Sequence, residues 1–327
     1  MVENRRIGQS DHWIHAMNTL GAQGVPFLFV LDYDLHRPVI VPLHALTDEI
    51  RFHTPAYPSP DRSPGPPIRL HREPIPFETY RSAFDQVMRE LYFGNSFLLN
   101  LTCSTPITVG LSLEEIFERS RARYKLFFRD QFVLFSPETF IQIREGRINT
   151  FPMKGTIDAG IPEAARRILT NEKELAEHIT IVDLLRNDLG RVAMDVRVDR
   201  FRYIEEVRTQ DRVLLQVSSQ ISGDLSPDYR GRLGEIFSDL LPAGSISGAP
   251  KSRTVEILRA AEVHDRGYFT GVFGIFNGSE VDSAVMIRFI EKQGEQLVFK
   301  SGGGITTQSD PDDEYREMID KVYVPIY

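Results

Sequence analysis

The chain is poor in cysteine, in long apolar runs and in positive charge, and each shortage argues against a class of protein. Its single cysteine, Cys103, excludes an internal disulfide and a metal site built from cysteines, which fits a reduced, cytoplasmic setting. No run of about 18 apolar residues is present, which argues against a membrane-spanning helix. The formal net charge of −8 argues against a nucleic-acid-binding surface.

The composition otherwise indicates a globular protein with a sizeable core. The chain has 327 residues, of which 41% are hydrophobic and 26% are charged. Residues 1–13 lack the apolar core of a secretion signal. We therefore expect a cytoplasmic protein with no membrane or nucleic-acid partner.

Helical and β-like segments come in mixed blocks, not in strict alternation, and the sequence shows no internal repeat. This order favours an α+β fold in which helices cover large antiparallel β-sheets. The predicted helices are 77–93, a segment beginning at Ser112, 171–188, 228–240, 252–262 and 311–321. The predicted strands are 97–105, 131–135, 139–144, 147–151, 269–276, 281–290 and 296–301, and 192–223 is β-rich.

Two domains of unequal size are predicted. Residues 1–70 contain a hairpin at 27–43 and a loop at 54–67 that holds six prolines. No good linker follows residue 70, so 71–327 is predicted to form one domain.

Two Glu-x-x-Glu pairs are the most informative feature of the sequence. Glu174 and Glu177 lie in one predicted helix, and Glu314 and Glu317 lie in another. Residues three apart share a helix face, so each pair directs two carboxylates the same way. Four carboxylates that meet repel each other unless a cation fills the site, and oxygen ligands alone suit Mg²⁺. The alternative is two solvated acidic faces.

A lysine and a glutamate are candidates for acid–base or covalent chemistry. Lys154 lies in the sequence FPMKGT, where proline and glycine predict a lysine fixed on a turn with the Gly155 amide open to a ligand. A nucleophilic lysine must be neutral, and unperturbed only about one in 10³ to 10⁴ is neutral at pH 7. Glu138 lies between two strands near apolar residues, where it can stay protonated and act as an acid. The alternatives are an ordinary surface lysine and an exposed turn glutamate.

Cations and glycines elsewhere predict an anion site. Gly303 and Gly304 close an apolar strand with backbone amides that side chains do not cover. Arg288 ends another apolar strand, and Lys321 lies four residues after Glu317 on the same helix face. Residues 241–251 lead into a helix whose N-terminal amides also face an anion in this interpretation. Together these groups favour a small polyanionic substrate; taken singly, each also fits a structural role.

At this point the sequence resembles the chorismate-utilising enzymes from about residue 75 to its end. The matching segments read KELAEH at 173–178, VDLLRNDLG at 182–190, GAPK at 248–251 and SDPDDEYRE at 309–317. The resemblance implies the fold of that family and a chorismate-binding catalytic domain at 71–327, with 1–70 as a remnant of a longer N-terminal region. Feedback inhibition by tryptophan is therefore not expected.

Within the family, Lys154 resembles the covalent nucleophile of the aminodeoxychorismate synthases, where other branches carry a small residue. The isochorismate and salicylate synthases have a general-base lysine at the position of Leu98, which cannot activate water. Two departures from the family pattern stand at Phe269, where tyrosine is common, and at Gln216, where histidine is common. The closest resemblance is thus to aminodeoxychorismate synthase component I.

The resemblance implies a role for each candidate residue. Lys154 attacks C2 of chorismate, Glu138 protonates the departing C4 hydroxyl, and ammonia from a separate glutaminase subunit adds at C4. The implied Mg²⁺ ligands are Glu174, Glu177, Glu314 and Glu317. The implied substrate contacts are Gly155, Thr156, Arg288, Gly303, Gly304 and Lys321. The product, 4-amino-4-deoxychorismate, serves p-aminobenzoate and folate synthesis; anthranilate synthase component I and a non-catalytic chorismate-binding subunit are the alternatives.

Overall fold

The computed structural model describes residues 12–58, 69–208 and 213–325. The proline-rich loop predicted at 54–67 therefore lies mostly outside the described residues. The helices are α1 (His12–Ala22), α2 (Phe77–Tyr92), α3 (Leu113–Arg119), α4 (Ala164–Thr170), α5 (Glu172–Leu189), α6 (Leu233–Leu240), α7 (Gly244–Ser247), α8 (Lys251–Ala261) and α9 (Pro311–Asp320). No described helix is both long enough and apolar enough to cross a membrane.

The strands form two large antiparallel sheets. They are β1 (Phe27–Leu31), β2 (Val39–Pro42), β3 (Ile50–His53), β4 (Leu70–Arg72), β5 (Leu98–Val109), β6 (Tyr124–Phe128), β7 (Phe132–Ser136), β8 (Thr139–Arg144), β9 (Arg147–Thr150), β10 (Met153–Asp158), β11 (Met194–Arg208), β12 (Val213–Asp224), β13 (Gly248–Ala249), β14 (Val272–Phe276), β15 (Val281–Val285), β16 (Phe289–Gln293) and β17 (Gln296–Ile305). One sheet has nine strands in the order β10-β12-β9-β8-β15-β14-β1-β2, with β11 also pairing with β12. The other has eight in the order β13-β5-β17-β16-β7-β6-β3, with β4 also pairing with β5. The predicted α+β class is confirmed.

The side-chain alternation of β1 shows how the layers stack. Phe27, Phe29 and Leu31 belong to the core beneath α1, α5 and α6. Leu28 and Val30 point the other way, into the core between the two sheets. Because successive residues of a strand face opposite sides, β1 is buried on both faces. Helices α2, α8, α9 and α3 cover the outer face of the second sheet.

The predicted hairpin at 27–43 forms, and it is built into the larger sheet. Val30 pairs with Val39 across the hairpin, while the other edge of β1 pairs with β14. Trp13 and Phe29 share a core cluster with Ile181 and other residues of α5. The described part of the N-terminal segment therefore shares its core with the segment predicted as a separate domain.

Three of the six predicted helices begin at a side-chain cap, at Ser112, Asn171 and Asp310. At the start of α3, Ser112 and Glu115 form a capping box, in which the side chain of each accepts a hydrogen bond from the backbone N–H of the other. At the start of α5, the Asn171 side chain accepts a hydrogen bond from the Glu174 backbone N–H. Both caps follow from residue type alone, which explains why these helices were predictable.

One predicted strand, 281–290, is divided between the two sheets. β15 lies in the larger sheet and β16 in the smaller one, and the chain crosses between them at residues 286–288. Arg288 has a φ of 53°, in the left-handed region, at this corner. Residues 284–287 and 289–290, on either side of Arg288, are apolar, so the hydrophobic pattern shows no break where the chain changes sheets.

Candidate active site

Lys154 lies on a β-bulge that changes the direction of its side chain. In β10, Met153 pairs with Ser218 and Thr156 pairs with Gln216, so β10 carries one more residue than β12 over this interval. Gly155 has a φ of 85°, which favours glycine. A bulge bends its strand and re-aims a side chain, as is common beside active sites.

The Lys154 amine joins three elements that are distant in sequence. Its Nζ lies 3.2 Å from Oε2 of Glu177 on α5. It also lies 3.3 Å from the point that a Cβ on Gly304 of β17 would occupy. The two side chains of the ion pair are partly exposed, at 27% for Lys154 and 19% for Glu177. The pair therefore lies in a cleft between α5 and the smaller sheet.

The positive φ at position 155 favours glycine, and the space beside its Cα is tight. A Cβ there would lie 3.0 Å from Oε2 of Glu174, one turn before Glu177 on α5. The bulge and the first acidic pair are therefore in direct contact. The predicted shared face of Glu174 and Glu177 is turned toward Lys154.

The second acidic pair lies against the glycines of β17. Lys321 Nζ lies 2.6 Å from Glu317 Oε1 and donates a hydrogen bond of 2.8 Å to the Gly302 carbonyl. A Cβ on Gly303 would lie 3.1 Å from Glu314 Oε2 and 3.9 Å from Lys321 Nζ. Glu314 also accepts a hydrogen bond from Ser309. The α9 carboxylates thus approach the strand segment that borders Lys154.

Electrostatics shows that the two halves of the site act on each other. Burial by itself raises the pKa of the Glu317 carboxyl, but the charges of Lys321, Lys154 and Arg288 outweigh it, and the pKa is lowered overall. Burial lowers the pKa of Lys321 despite its pairing with Glu317. Lys154 on β10 is therefore within range of both α9 groups.

Glu138 has the environment expected of a general acid. Burial raises the pKa of its carboxyl, against the opposing effects of a hydrogen bond from Ser245 and the charges of Lys154 and Arg288. The Ser245 hydroxyl donates to Oε1 at 2.5 Å. A carboxyl with a raised pKa keeps its proton to higher pH and can deliver it to a leaving group.

Arg288 supplies positive charge between the two halves. Its guanidinium lies 5.4 Å from the centre of the Tyr323 ring, and its Nε is buried without a hydrogen-bond partner among the described residues. Its charge acts on Glu138, Glu317 and Lys321. An arginine at this place, with donor capacity to spare, suits an anionic ligand.

Some residues that the sequence analysis singled out lie in the structure otherwise than a direct role in the site would require. Thr156 pairs with Gln216 in the sheet, and its side chain is exposed. The part of Thr156 that lies next to Gly155 is therefore its backbone and not a buried side chain. Residues 241–251 do not present one helix N-terminus, because Gly248 and Ala249 form β13 and pair with Leu99 and Leu98 of β5. Phe269, one of the two departures, is buried in the core between the sheets.

The acidic residues have the chemistry that Mg²⁺ prefers. Four carboxylates lie around the cleft, and Glu177 and Glu317 each have a lysine ammonium as their counter-charge. Across the part of the chain that the structure describes, no three His, Cys, Asp or Glu side chains are grouped closely enough to hold a metal as they stand. Metal binding would therefore require these carboxylate side chains to move closer together.

Two residues that support the site were not identified from the sequence. Ser245 lies in a segment interpreted as an anion site, but its hydroxyl contacts Glu138. His178 is fully buried, and its Nε2 lies 2.7 Å from Ser219 Oγ behind the strand that carries Lys154. Burial, more than the charges of Arg202 and Lys154, lowers its pKa to about 4, so the ring is neutral. Its only sequence signal is its place directly after Glu177.

The chain matches known proteins over most of its length. A family model described as chorismate binding enzyme matches residues 34–326. A Pasteurella multocida protein named "Uncharacterized PabA-like protein" is 49% identical over 325 residues, covering 96% of this chain and 98% of its own.

Two further relatives have named activities. The aminodeoxychorismate synthase component 1 of Salmonella typhimurium is 32% identical over 258 residues, covering 74% of this chain and 56% of its own. The anthranilate synthase component 1 of Spirochaeta aurantia is 32% identical over 264 residues, covering 76% of this chain and 53% of its own. The chain thus spans about half the length of these two relatives, and identity does not separate their activities.

A solved structure shares the fold. The menaquinone-specific isochorismate synthase from Escherichia coli superposes with a TM-score of 0.72 at 15% identity, covering 96% of this chain and 80% of that one. The fold expected from the resemblance is therefore confirmed.

Proposed function

Since this chain belongs to the family of chorismate binding enzymes, we propose that it is the chorismate-aminating component of an aminodeoxychorismate synthase. The reaction takes chorismate and ammonia to 4-amino-4-deoxychorismate and water. The observation that carries the proposal is the position of Lys154, whose amine lies in the cleft between Glu177 and Gly304. The alternatives drawn from the family are anthranilate formation and binding without catalysis.

The first half of the proposed reaction forms a covalent adduct. The Lys154 amine attacks C2 of the ring, both conjugated ring double bonds shift toward C4, and the C4–O bond breaks. Glu138 delivers its proton to the departing hydroxyl, which leaves as water. The raised pKa of Glu138 supports this role, because the carboxyl must carry a proton when the bond breaks.

The second half reverses the shift with a different nucleophile. Ammonia forms a bond to C4, the two ring double bonds shift back to their original positions, and the C2–N bond to Lys154 breaks. The lysine is regenerated, and the C4 hydroxyl has been replaced by an amino group. Ammonia is proposed to come from a separate glutaminase subunit.

The remaining groups bind and orient the dianionic substrate. In this proposal Arg288, Lys321 and the backbone amides of Gly303 and Gly304 would hold its enolpyruvyl carboxylate. Mg²⁺, held by Glu174, Glu177, Glu314 and Glu317, would supply positive charge for the ring carboxylate. Because Glu177 is the counter-charge of Lys154, its recruitment to a metal would release the amine from that ion pair.

The test is product analysis with chorismate, Mg²⁺ and ammonium. Mass spectrometry is expected to show 4-amino-4-deoxychorismate, which becomes p-aminobenzoate only when a lyase is added. Fluorescent anthranilate formed without a lyase would identify the alternative activity. Absence of turnover at saturating ammonium would favour the non-catalytic subunit.

The lysine is tested by substitution. Lys154→Ala should reduce amination by about 10²-fold or more, because a covalent route and its acid–base assistance are both lost. Lys292→Ala removes a lysine that is 42% exposed and paired with Asp130, so it serves as the control and should retain full activity. Amination by Lys154→Ala at the normal rate would rule out the covalent route.

A further inference from the structure

The chain segment that follows α9 carries one aromatic side chain next to the cations of the cleft. Val322 is 2% exposed in the core beneath α3, and Val324 packs against the same cluster. Between them, Tyr323 is 47% exposed, and the Arg288 guanidinium lies over its ring, 5.4 Å from the ring centre. Lys321, two residues before Tyr323, also directs its ammonium into the cleft. Tyr323 therefore lies on the cleft side of this segment.

Backbone hydrogen bonds fix both ends of the segment. The Val322 N–H donates to the Ile319 carbonyl at 3.0 Å, which joins the segment to the last turn of α9. The Arg121 N–H donates to the Pro325 carbonyl at 2.9 Å, which joins it to the loop after α3. Because Tyr323 lies between these two bonds and beside a buried valine, its ring has little freedom to leave the cleft.

The Arg288 side chain has hydrogen-bond donors to spare, whereas its backbone is fixed. The Phe135 N–H donates to the Arg288 carbonyl at 3.1 Å, at the corner between the two sheets. The Arg288 Nε is buried and has no hydrogen-bond partner among the described residues. A guanidinium within about 6 Å of a ring centre is attracted to the face of the ring. The Tyr323 ring thus holds the cation without using its N–H groups.

The kind of contact matters for what the arginine can bind. A carboxylate partner from the protein would occupy the N–H groups of the guanidinium, and a ligand carboxylate would have to displace that partner. An aromatic ring attracts the positive charge through its face and leaves the edge of the guanidinium, where the N–H donors point, open to a ligand. A flexible side chain that is ordered beforehand loses less entropy on binding, so such a support strengthens the binding of an anion.

We infer that Tyr323 is a positioning residue, whose ring face holds the Arg288 guanidinium in place for a carboxylate of the dianionic substrate. The inference rests on the proposed function only in its use of Arg288 as a substrate contact, and not on the product that is formed. Tyr323 acts through Arg288, so its loss weakens substrate binding and leaves the chemical step unchanged.

Calorimetry of the full chain with chorismate and Mg²⁺ measures the dissociation constant Kd, and initial rates at saturating ammonium give KM and kcat. Tyr323→Leu removes the ring and should raise Kd and KM about threefold to fivefold, the size of a partly exposed cation–π contact, with kcat unchanged. Tyr323→Phe retains the ring face and should keep the wild-type values. Tyr92→Leu is the control, because Tyr92 is 72% exposed at the end of α2, on the outer face of the second sheet.

A second pair of variants tests whether the ring acts through the arginine. In Arg288→Gln the cation is absent, so the addition of Tyr323→Leu should not weaken chorismate binding further. Three results would each overturn the inference: an unchanged Kd in folded Tyr323→Leu, a Tyr323→Phe variant that binds as weakly as Tyr323→Leu, or the same fold-loss in the Arg288→Gln background. If Tyr323→Leu does not fold, Tyr323→Met takes its place with the same expected loss.

The two measurements separate this inference from the proposed function. If wild type binds chorismate but makes no aminated product, the proposed function fails, and calorimetry of the Tyr323 variants still decides the inference. If wild type aminates chorismate and Tyr323→Leu binds it equally well, the inference alone fails. A wild-type protein that binds no chorismate would contradict both.

Discussion

The cleft around Lys154 and the charged network around Arg266 use the same residue types in opposite ways. Arg266 makes five hydrogen bonds: two to Glu262, and one each to the Ile246 carbonyl, the Asn100 carbonyl and the Thr270 hydroxyl. The Arg266 and Glu262 side chains are 3% and 5% exposed. In the cleft, Lys154 and Glu177 are 27% and 19% exposed, and the Arg288 Nε lacks a partner among the described residues.

The difference lies in how completely each set of charges is paired within the protein. Glu262 also accepts hydrogen bonds from the Thr102 backbone and hydroxyl, so the network ties β5 to the segment after α8. Its charges are compensated within the protein, which a buried ion pair requires. In the cleft, Lys154 contacts Glu177, and Lys321 contacts Glu317 and the Gly302 carbonyl, while these side chains stay partly open to solvent.

The largest expected effect comes from breaking the buried network. Glu262→Gln leaves the Arg266 charge uncompensated in the interior and should lower the free energy of unfolding by about 3–5 kcal/mol. Urea denaturation at pH 7 measures it. Glu256→Gln is the control, because Glu256 is 64% exposed and pairs with Arg253 on the surface. Equal unfolding midpoints for the two variants would contradict the structural role of the network.

A smaller effect is expected from the neutral histidine behind the cleft. Burial lowers the pKa of His178 to about 4 in the folded protein, below its value of about 6.5 in the unfolded chain. The unfolded state therefore binds the proton first, and stability falls as the pH drops from about 6.5 to about 4. The loss is about 3 kcal/mol for this one group.

The check is the free energy of unfolding of wild type and His178→Gln across that pH range. The variant should lose less stability on acidification, since its side chain takes up no proton. His71→Gln is the control, at a side chain that is 72% exposed. His264, in the Arg266 network, also has a pKa lowered to about 4 by burial, so wild type should keep part of its pH dependence in the variant. A pH dependence identical in wild type and His178→Gln would refute the assignment.

The smallest effect on stability is expected in the cleft itself. Glu177→Gln removes the partner of Lys154, but the pair is partly exposed, so the free energy of unfolding should change by less than about 1 kcal/mol. Calorimetry should show in the same variant that Mg²⁺ no longer strengthens chorismate binding. A loss of stability as large as that of Glu262→Gln would remove the distinction between the two regions.

Local signals in the sequence were enough for the helices that carry the acidic pairs. Asn171 is the N-cap of α5, and Gly190 is its C-cap. Asp310 caps α9, and Pro311 occupies its first turn. Capping chemistry acts over a few residues, so it can be recognised without knowledge of the fold. The spacing within each Glu-x-x-Glu pair follows from the helix repeat in the same way.

The strand that carries Lys154 was not predicted. β10 contains Gly155 and follows Pro152, and both residues weaken a strand pattern. The strand forms because β12 pairs with it on both sides of a bulge. The partner strand lies about 60 residues further along the chain, so no local pattern announces it.

The sequence by itself determined the class of fold, the ends of several helices and the shared helix face of each acidic pair. These depend on periodicity, capping and composition, which act over short distances along the chain. Only the tertiary structure showed that the Lys154 amine lies beside Glu177 and Gly304 and that the Ser245 hydroxyl donates a hydrogen bond to Glu138. Those contacts arise where the edges of two sheets meet two helices, and strand pairing between distant segments sets that meeting point.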